Sequence, residues 1–172
     1  MPRARAAAGL AIVVVLAAAS GCDDRETASD TAPELAPLAI ADQEDPVCGM
    51  LVRNQSAPRG QVQHRDGSRF AVCSLGDLLV HLSAPSRHGA VTRVWVEVLA
   101  PDEDPGATHL EPHPWVDAGD ATFVVGVPRR GIMGTPILSY RSPEDADAVV
   151  QAHPGARSFD FEQLQRWWRE RS

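Results

Sequence analysis

Lysine is missing from this chain of 172 residues: all 16 basic residues are arginine, against 23 acids, for a formal charge of −7. A nucleic-acid binder needs a basic face, and this balance excludes one. Cysteine is scarce at three residues, too few for a fold stapled by disulfides. Methionine also numbers three. Long apolar runs are few, which excludes a polytopic membrane protein. The sequence has no Cys-x-x-Cys, no Gly-x-Ser-x-Gly and no phosphate-binding loop, so it offers no specific support for catalysis. The missing lysine points to GC-rich coding rather than to chemistry. The length leaves room for one domain or two small ones.

The N-terminus reads as an address. Arg3 and Arg5 precede an apolar stretch from Ala6 to Ala19. That stretch is shorter than the ~20 residues a spanning helix needs, and it suits a secretory signal. It runs into Ala19-Ser20-Gly21-Cys22, which resembles a bacterial lipobox with Ala19 in the usual leucine position. The resemblance implies cleavage before Cys22, lipidation of that cysteine, and a periplasmic protein anchored to the bilayer. An ordinary secretory signal with an incidental cysteine is the alternative. Asp23, directly after Cys22, resembles the inner-membrane retention signal of some bacterial lipoproteins, and that resemblance implies the inner membrane. Residues 1–21 are thus a signal peptide. Residues 22–44 are acidic, rich in Ala, Pro and Thr and without apolar periodicity, and they read as a flexible tether.

Beyond residue 45 the pattern repeats. Gln61–His64 and Phe70–Cys73 read as strands around Asp66-Gly67, a strong hairpin signal. Ser74 is placed to cap a helix bearing Leu75, Leu78, Leu79 and Leu82. Arg93–Val98 alternates as a strand with Val94, Val96 and Val98 on one face. The same order returns with strands at Ala121–Val127 and Thr135–Tyr140 and a helix opening at Ser142-Pro143-Glu144-Asp145. A strand at Arg157–Phe161 and a closing helix carrying Leu164, Trp167 and Trp168 complete it. The expected fold is α+β, two small ββαβ units in tandem over 45–112 and 113–172, joined through the Pro-rich stretch 101–114.

The few sulfur atoms carry the chemistry. Past the initiator, the remaining methionines adjoin glycine, in Cys48-Gly49-Met50 and Gly131-Ile132-Met133-Gly134. Neither lies in a helical or strand stripe, where a core methionine would sit. A bend at Gly49 could aim the Cys48 and Met50 sulfurs at one point. Thiolate with thioether is a soft donor set that suits Cu(I) and does not suit Mg, Ca or Mn. Taken alone, Cys-x-Met is too common a pattern to name a metal.

It does not stand alone. Asp45-Pro-Val-Cys-Gly-Met50 opens the globular part. Trp115-Val-Asp-Ala118, Ala121-Thr-Phe-Val-Val-Gly126, Gly131-Ile-Met-Gly134 and Pro136 follow in order. This ordered set resembles the NosL family, periplasmic copper lipoproteins of nitrous-oxide-reductase assembly. The resemblance spans about Asp45 to Phe161. It implies a Cu(I)-binding metallochaperone, not an enzyme, with two ββαβ units. Its partners would be nitrous-oxide reductase or the machinery that assembles it. It implies Cys48, Met50 and Met133 as copper ligands, and Gly131-Ile132 departs modestly from the family's usual Gly-Pro.

Cys73 has three open readings: a core thiol, a disulfide partner of Cys48, or a further ligand. A stable bridge to Cys48 would abolish the copper site. His109 and His113 stand at i, i+4, a ligand spacing on a helix, but Pro112 and Pro114 forbid a helix there. His113 is a further candidate ligand. Two other functions fit the same residues: copper delivery to a different periplasmic copper enzyme, and a metal-free thiol enzyme using Cys48 with a nearby base.

Overall fold

The computed structural model describes residues 36–129 and 134–171. Cys22, the signal peptide and Met133 lie outside the described residues. Among the described residues, seven strands and three α-helices follow one another. First come β1 (Gly60–His64), β2 (Arg69–Val72), α1 (Leu75–Ser83), β3 (Val91–Glu97) and β4 (Trp115–Asp117). Then come β5 (Thr122–Val125), β6 (Ile137–Tyr140), α2 (Pro143–Ala152), β7 (Arg157–Phe159) and α3 (Phe161–Arg169). The fold is α+β, and the order strand-strand-helix-strand occurs twice.

Local chemistry sets these elements. Gly67, at φ 86°, closes the β1–β2 hairpin. The Ser74 and Ser142 hydroxyls each accept the backbone N–H three residues on, Asp77 and Asp145, and so start α1 and α2. Pro143 stands in the first turn of α2, where no backbone donor is needed. Asp160 and Gln163 form a capping box at the head of α3.

The sheets are ordered β2-β1-β3-β4 and β6-β5-β7, and neighbouring strands in both run antiparallel. In each, the first strand of the repeat lies between its hairpin mate and the strand after the helix. Register puts Gly60, Val72 and Val96 in one row and Gln61, Ala71 and Trp95 in the next. Side chains alternate along a strand. Val62, Val72 and Val96 therefore face one way, into a core shared with Leu75, Leu78, Leu79, Phe123, Val125, Ile137 and Leu164. That core takes residues from both repeats. The far face of the second sheet packs Val124, Leu138 and Tyr140 against Ala146 and Val149 of α2.

Two features lie outside the sequence expectations. β4 follows the division expected at residue 112, yet it pairs with β3 in the first sheet, Val96 opposite Val116. The 101–114 loop returns the chain to the open edge of β3 and satisfies that edge's backbone groups. Residues 36–44, assigned to the tether, are tied to the first sheet. Leu38 exchanges hydrogen bonds with the Gln61 side-chain amide at 2.9 and 2.6 Å, and the Arg69 guanidinium donates to the Ala36 carbonyl. Gln61 lies on the outer face of that sheet, so this segment and the 45–59 loop cover it.

Candidate metal centre

Cys73 follows β2 directly, and alternation from Ala71 turns it to the outer face. There it packs with Val52 and Ala71 against Ile40, Cys48 and Met50. The 45–50 segment is a closed loop: Asp45 N–H donates to the Met50 carbonyl at 2.9 Å, and Gly49 N–H to the Asp45 carbonyl at 2.8 Å. Gly49 has φ 74° and makes the bend between Cys48 and Met50.

Asp45 organises this loop. It is 1% exposed. One carboxylate oxygen accepts from Val47 N–H at 2.7 Å and the other from Cys73 N–H at 2.7 Å. One buried side chain thus locks the loop that carries Cys48 to the strand end that carries Cys73. A donor atom from each of Asp45, Cys48 and Cys73 falls within 4.8 Å of the others. Both cysteines are free thiols. Met50 joins the same cluster, and the Gln55 amide donates to its sulfur at 3.9 Å.

The electrostatics separate the two thiols. Burial pushes the Cys48 thiol up, against hydrogen bonds at Met50 and Cys73 that pull it down. Cys73 is pushed up much further, first by burial, then by Cys48 and the Asp45 charge. Cys48 therefore ionises first, with Cys73 as a protonated donor beside it. The Cys73 thiol also donates to the Met50 carbonyl at 3.7 Å. Asp77, in the first turn of α1, has its carboxyl pushed up by burial and by the Asp45 charge, against the Ser74 hydroxyl. The Thr135 carbonyl lies against the same turn, 3.5 Å from where a side-chain carbon on Gly76 would stand.

The expected site residues divide into groups. Cys48, Met50 and Cys73 come together. His113 stands apart from them, with His109 and Glu103 in the 101–114 loop. The sequence motif contains Asp45 without marking it as a site residue. Its one signal is position, an acid before a proline at the head of a loop. We expect Asp45→Ala to destabilise the fold by about 1–3 kcal/mol, because the buried Cys73 N–H loses its acceptor. Urea unfolding checks this, and Asp45→Asn, which keeps one acceptor oxygen, should recover part of the loss.

Fold and cluster together define a class, a duplicated ββαβ domain with a soft-donor group on the covered outer face of its first sheet. The chain belongs to the NosL family, whose model matches residues 37–168. It is 30% identical over 165 residues to the copper-binding lipoprotein NosL of Stutzerimonas stutzeri, covering 93% of this chain and 81% of that protein. It superimposes on the crystal structure of the copper chaperone NosL from Shewanella denitrificans with a TM-score of 0.63 at 28% identity. That match covers 76% of this chain and 96% of the other.

Proposed function

We propose that this protein is a periplasmic, membrane-anchored copper chaperone that carries Cu(I) to nitrous-oxide reductase during its assembly. Its relatives are named for binding and carrying copper, not for catalysis. The observation that carries the reading is the meeting of Cys48, Met50 and Cys73 around one buried carboxylate in a chain of this family. Cys48 as thiolate with Met50 and Met133 as thioethers makes a soft set for Cu(I). Zinc takes thiolate readily but rarely thioether. Charge favours one thiolate: Cu(I) with Cys48 alone is neutral, whereas a second thiolate would add a buried negative charge beside Asp45. Cys73 keeps its proton in this reading and supports the Cys48 sulfur as a hydrogen-bond donor.

The anchor is the lipid on Cys22, and Asp23 retains the protein at the inner membrane. No general base is needed, because a site of few ligands releases copper by ligand exchange. The test is anaerobic titration of the full chain against a Cu(I) chelator. One Cu(I) should bind per chain, and Met50→Leu and Met133→Leu should each weaken the competition. Unchanged competition in both variants would remove the ligand assignment. Transfer of the bound copper to metal-free nitrous-oxide reductase, and not to another periplasmic copper enzyme, tests the client.

A further inference from the structure

The loop between β3 and β4 holds a second group of metal-binding side chains. Glu103, His109 and His113 each place a donor atom within 4.8 Å of the others. His113 Nε2 stands 2.8 Å from Glu103 Oε1, and His109 Nδ1 stands 3.6 Å from the same oxygen. The other nitrogen of each ring meets a backbone carbonyl. His113 Nδ1 is 2.8 Å from the Glu111 oxygen, and His109 Nε2 is 2.8 Å from the Asp104 oxygen.

Those carbonyls decide which nitrogen carries the proton of a neutral ring. A carbonyl only accepts, so the nitrogen facing it carries the ring proton. In that tautomer each ring turns the lone pair of its second nitrogen toward one carboxylate oxygen. Lone pairs facing an anion repel it unless a positive charge stands between them. A proton on a ring supplies that charge, and so does a metal ion. Ligating histidines usually give their second N–H to a carbonyl or carboxylate, which sets tautomer and ring orientation. Both rings here already do so.

The group is also held in place. The three side chains are 7%, 14% and 28% exposed for His113, His109 and Glu103. His113 N–H donates to the buried Glu97 carboxylate at 3.3 Å, and His109 N–H to the Ser56 hydroxyl at 2.9 Å. The other Glu103 oxygen accepts from Ala100 N–H at 2.6 Å. Arg129 donates to the Ala107 carbonyl from beneath the loop. Ligands supported in this way meet an ion without reorganising.

We propose that Glu103, His109 and His113 form a second metal site, for a divalent first-row ion of the Zn(II) or Cu(II) class. Two imidazoles and one carboxylate are a known three-residue zinc set that leaves a position open. The site contains no sulfur, so it favours borderline divalent ions over Cu(I). It shares no residue with the Asp45, Cys48 and Cys73 group. The chain would therefore sort two kinds of ion by softness, and either site can fail its test without the other.

Co(II) is the probe, added anaerobically to the full chain with its thiols reduced. One Co(II) should bind, with visible d–d absorption and no thiolate-to-metal charge-transfer band. Zn(II) should displace it one for one. His109→Gln, His113→Gln and Glu103→Gln should each weaken Co(II) binding tenfold or more, and the double histidine variant should lose it. A thiolate charge-transfer band, unchanged affinity in the double variant, or no Co(II) binding overturns the proposal. One measurement needs no variant: Zn(II) should shift the NMR ring signals of only two of the six histidines. Shifts confined to the other four would equally overturn the proposal.

Discussion

Cys48→Ser is expected to lower Cu(I) affinity by at least a hundredfold, more than either methionine variant. Loss of an outer-shell partner alone costs about 10–100-fold in affinity, and Cys48 is proposed as the one charged sulfur at the copper. A serine hydroxyl is hard and does not ionise near neutral pH, so both softness and charge balance are lost. Chelator competition measures the effect. Cys73→Ser should cost less, within the outer-shell range, because Cys73 is proposed to act through a hydrogen bond. Proton release separates the two thiols further. Burial holds the Cys48 thiol above its ordinary value, so it is protonated in the metal-free protein at neutral pH. Cu(I) must displace that proton, and affinity therefore rises with pH. One displaced thiol proton corresponds to about tenfold in affinity per pH unit below the thiol pKa. A slope near two protons would make Cys73 a second thiolate and overturn the single-thiolate reading.

Glu97→Ala should destabilise the protein by about 3–5 kcal/mol, because it leaves a buried guanidinium without its counter-ion. That is a large part of the ~5–15 kcal/mol that holds a typical domain folded. Glu97 is 0% exposed and Arg59 is 2% exposed. Their fork is bidentate, with Nε to Oε2 at 2.7 Å and Nη2 to Oε1 at 2.8 Å. Arg59 N–H adds a third bond to Oε2 at 3.1 Å. The same guanidinium donates to the carbonyls of Gln55 and Glu111. Gln55 reaches the Met50 sulfur, and the Glu111 carbonyl meets the His113 ring. The ion pair thus ties the loop beside the sulfur cluster to the loop with the histidines. Urea unfolding should show the lower midpoint, and Cu(I) and Co(II) affinities should both fall. Replacing both residues with leucine and methionine should restore much of the stability. An unchanged midpoint in Glu97→Ala would show that the pair is not integral to the fold.

Much of the fold is legible in local residues. Ser74 and Ser142 mark helix starts because their hydroxyls satisfy backbone donors a few residues away, a requirement met within one turn. Asp66-Gly67 marks the hairpin because glycine reaches positive φ without strain. β4 left little trace: Trp115–Asp117 is three residues long, and only the open edge of β3 makes it a strand. Glu97 was equally hidden. Between Val96 and Val98, alternation sends it to the outer face, where an acid ordinarily meets water. Here the 55–59 and 111–113 segments cover that face, and Arg59 supplies the counter-charge.

The sequence by itself determined six of the seven strands, the three helices and the repeat, and it is the source of the proposed soft sulfur set of Cys48, Met50 and Met133. These depend on residue type and spacing over a few positions. The tertiary structure decided which of the scarce side chains meet. It brought Cys73 and Asp45 to Cys48 across the sheet's outer face. It also set His113 with His109 and Glu103, in a loop whose prolines forbid the helix that their spacing would otherwise need. Such meetings depend on sheet register and on how long loops return, and no local pattern encodes either.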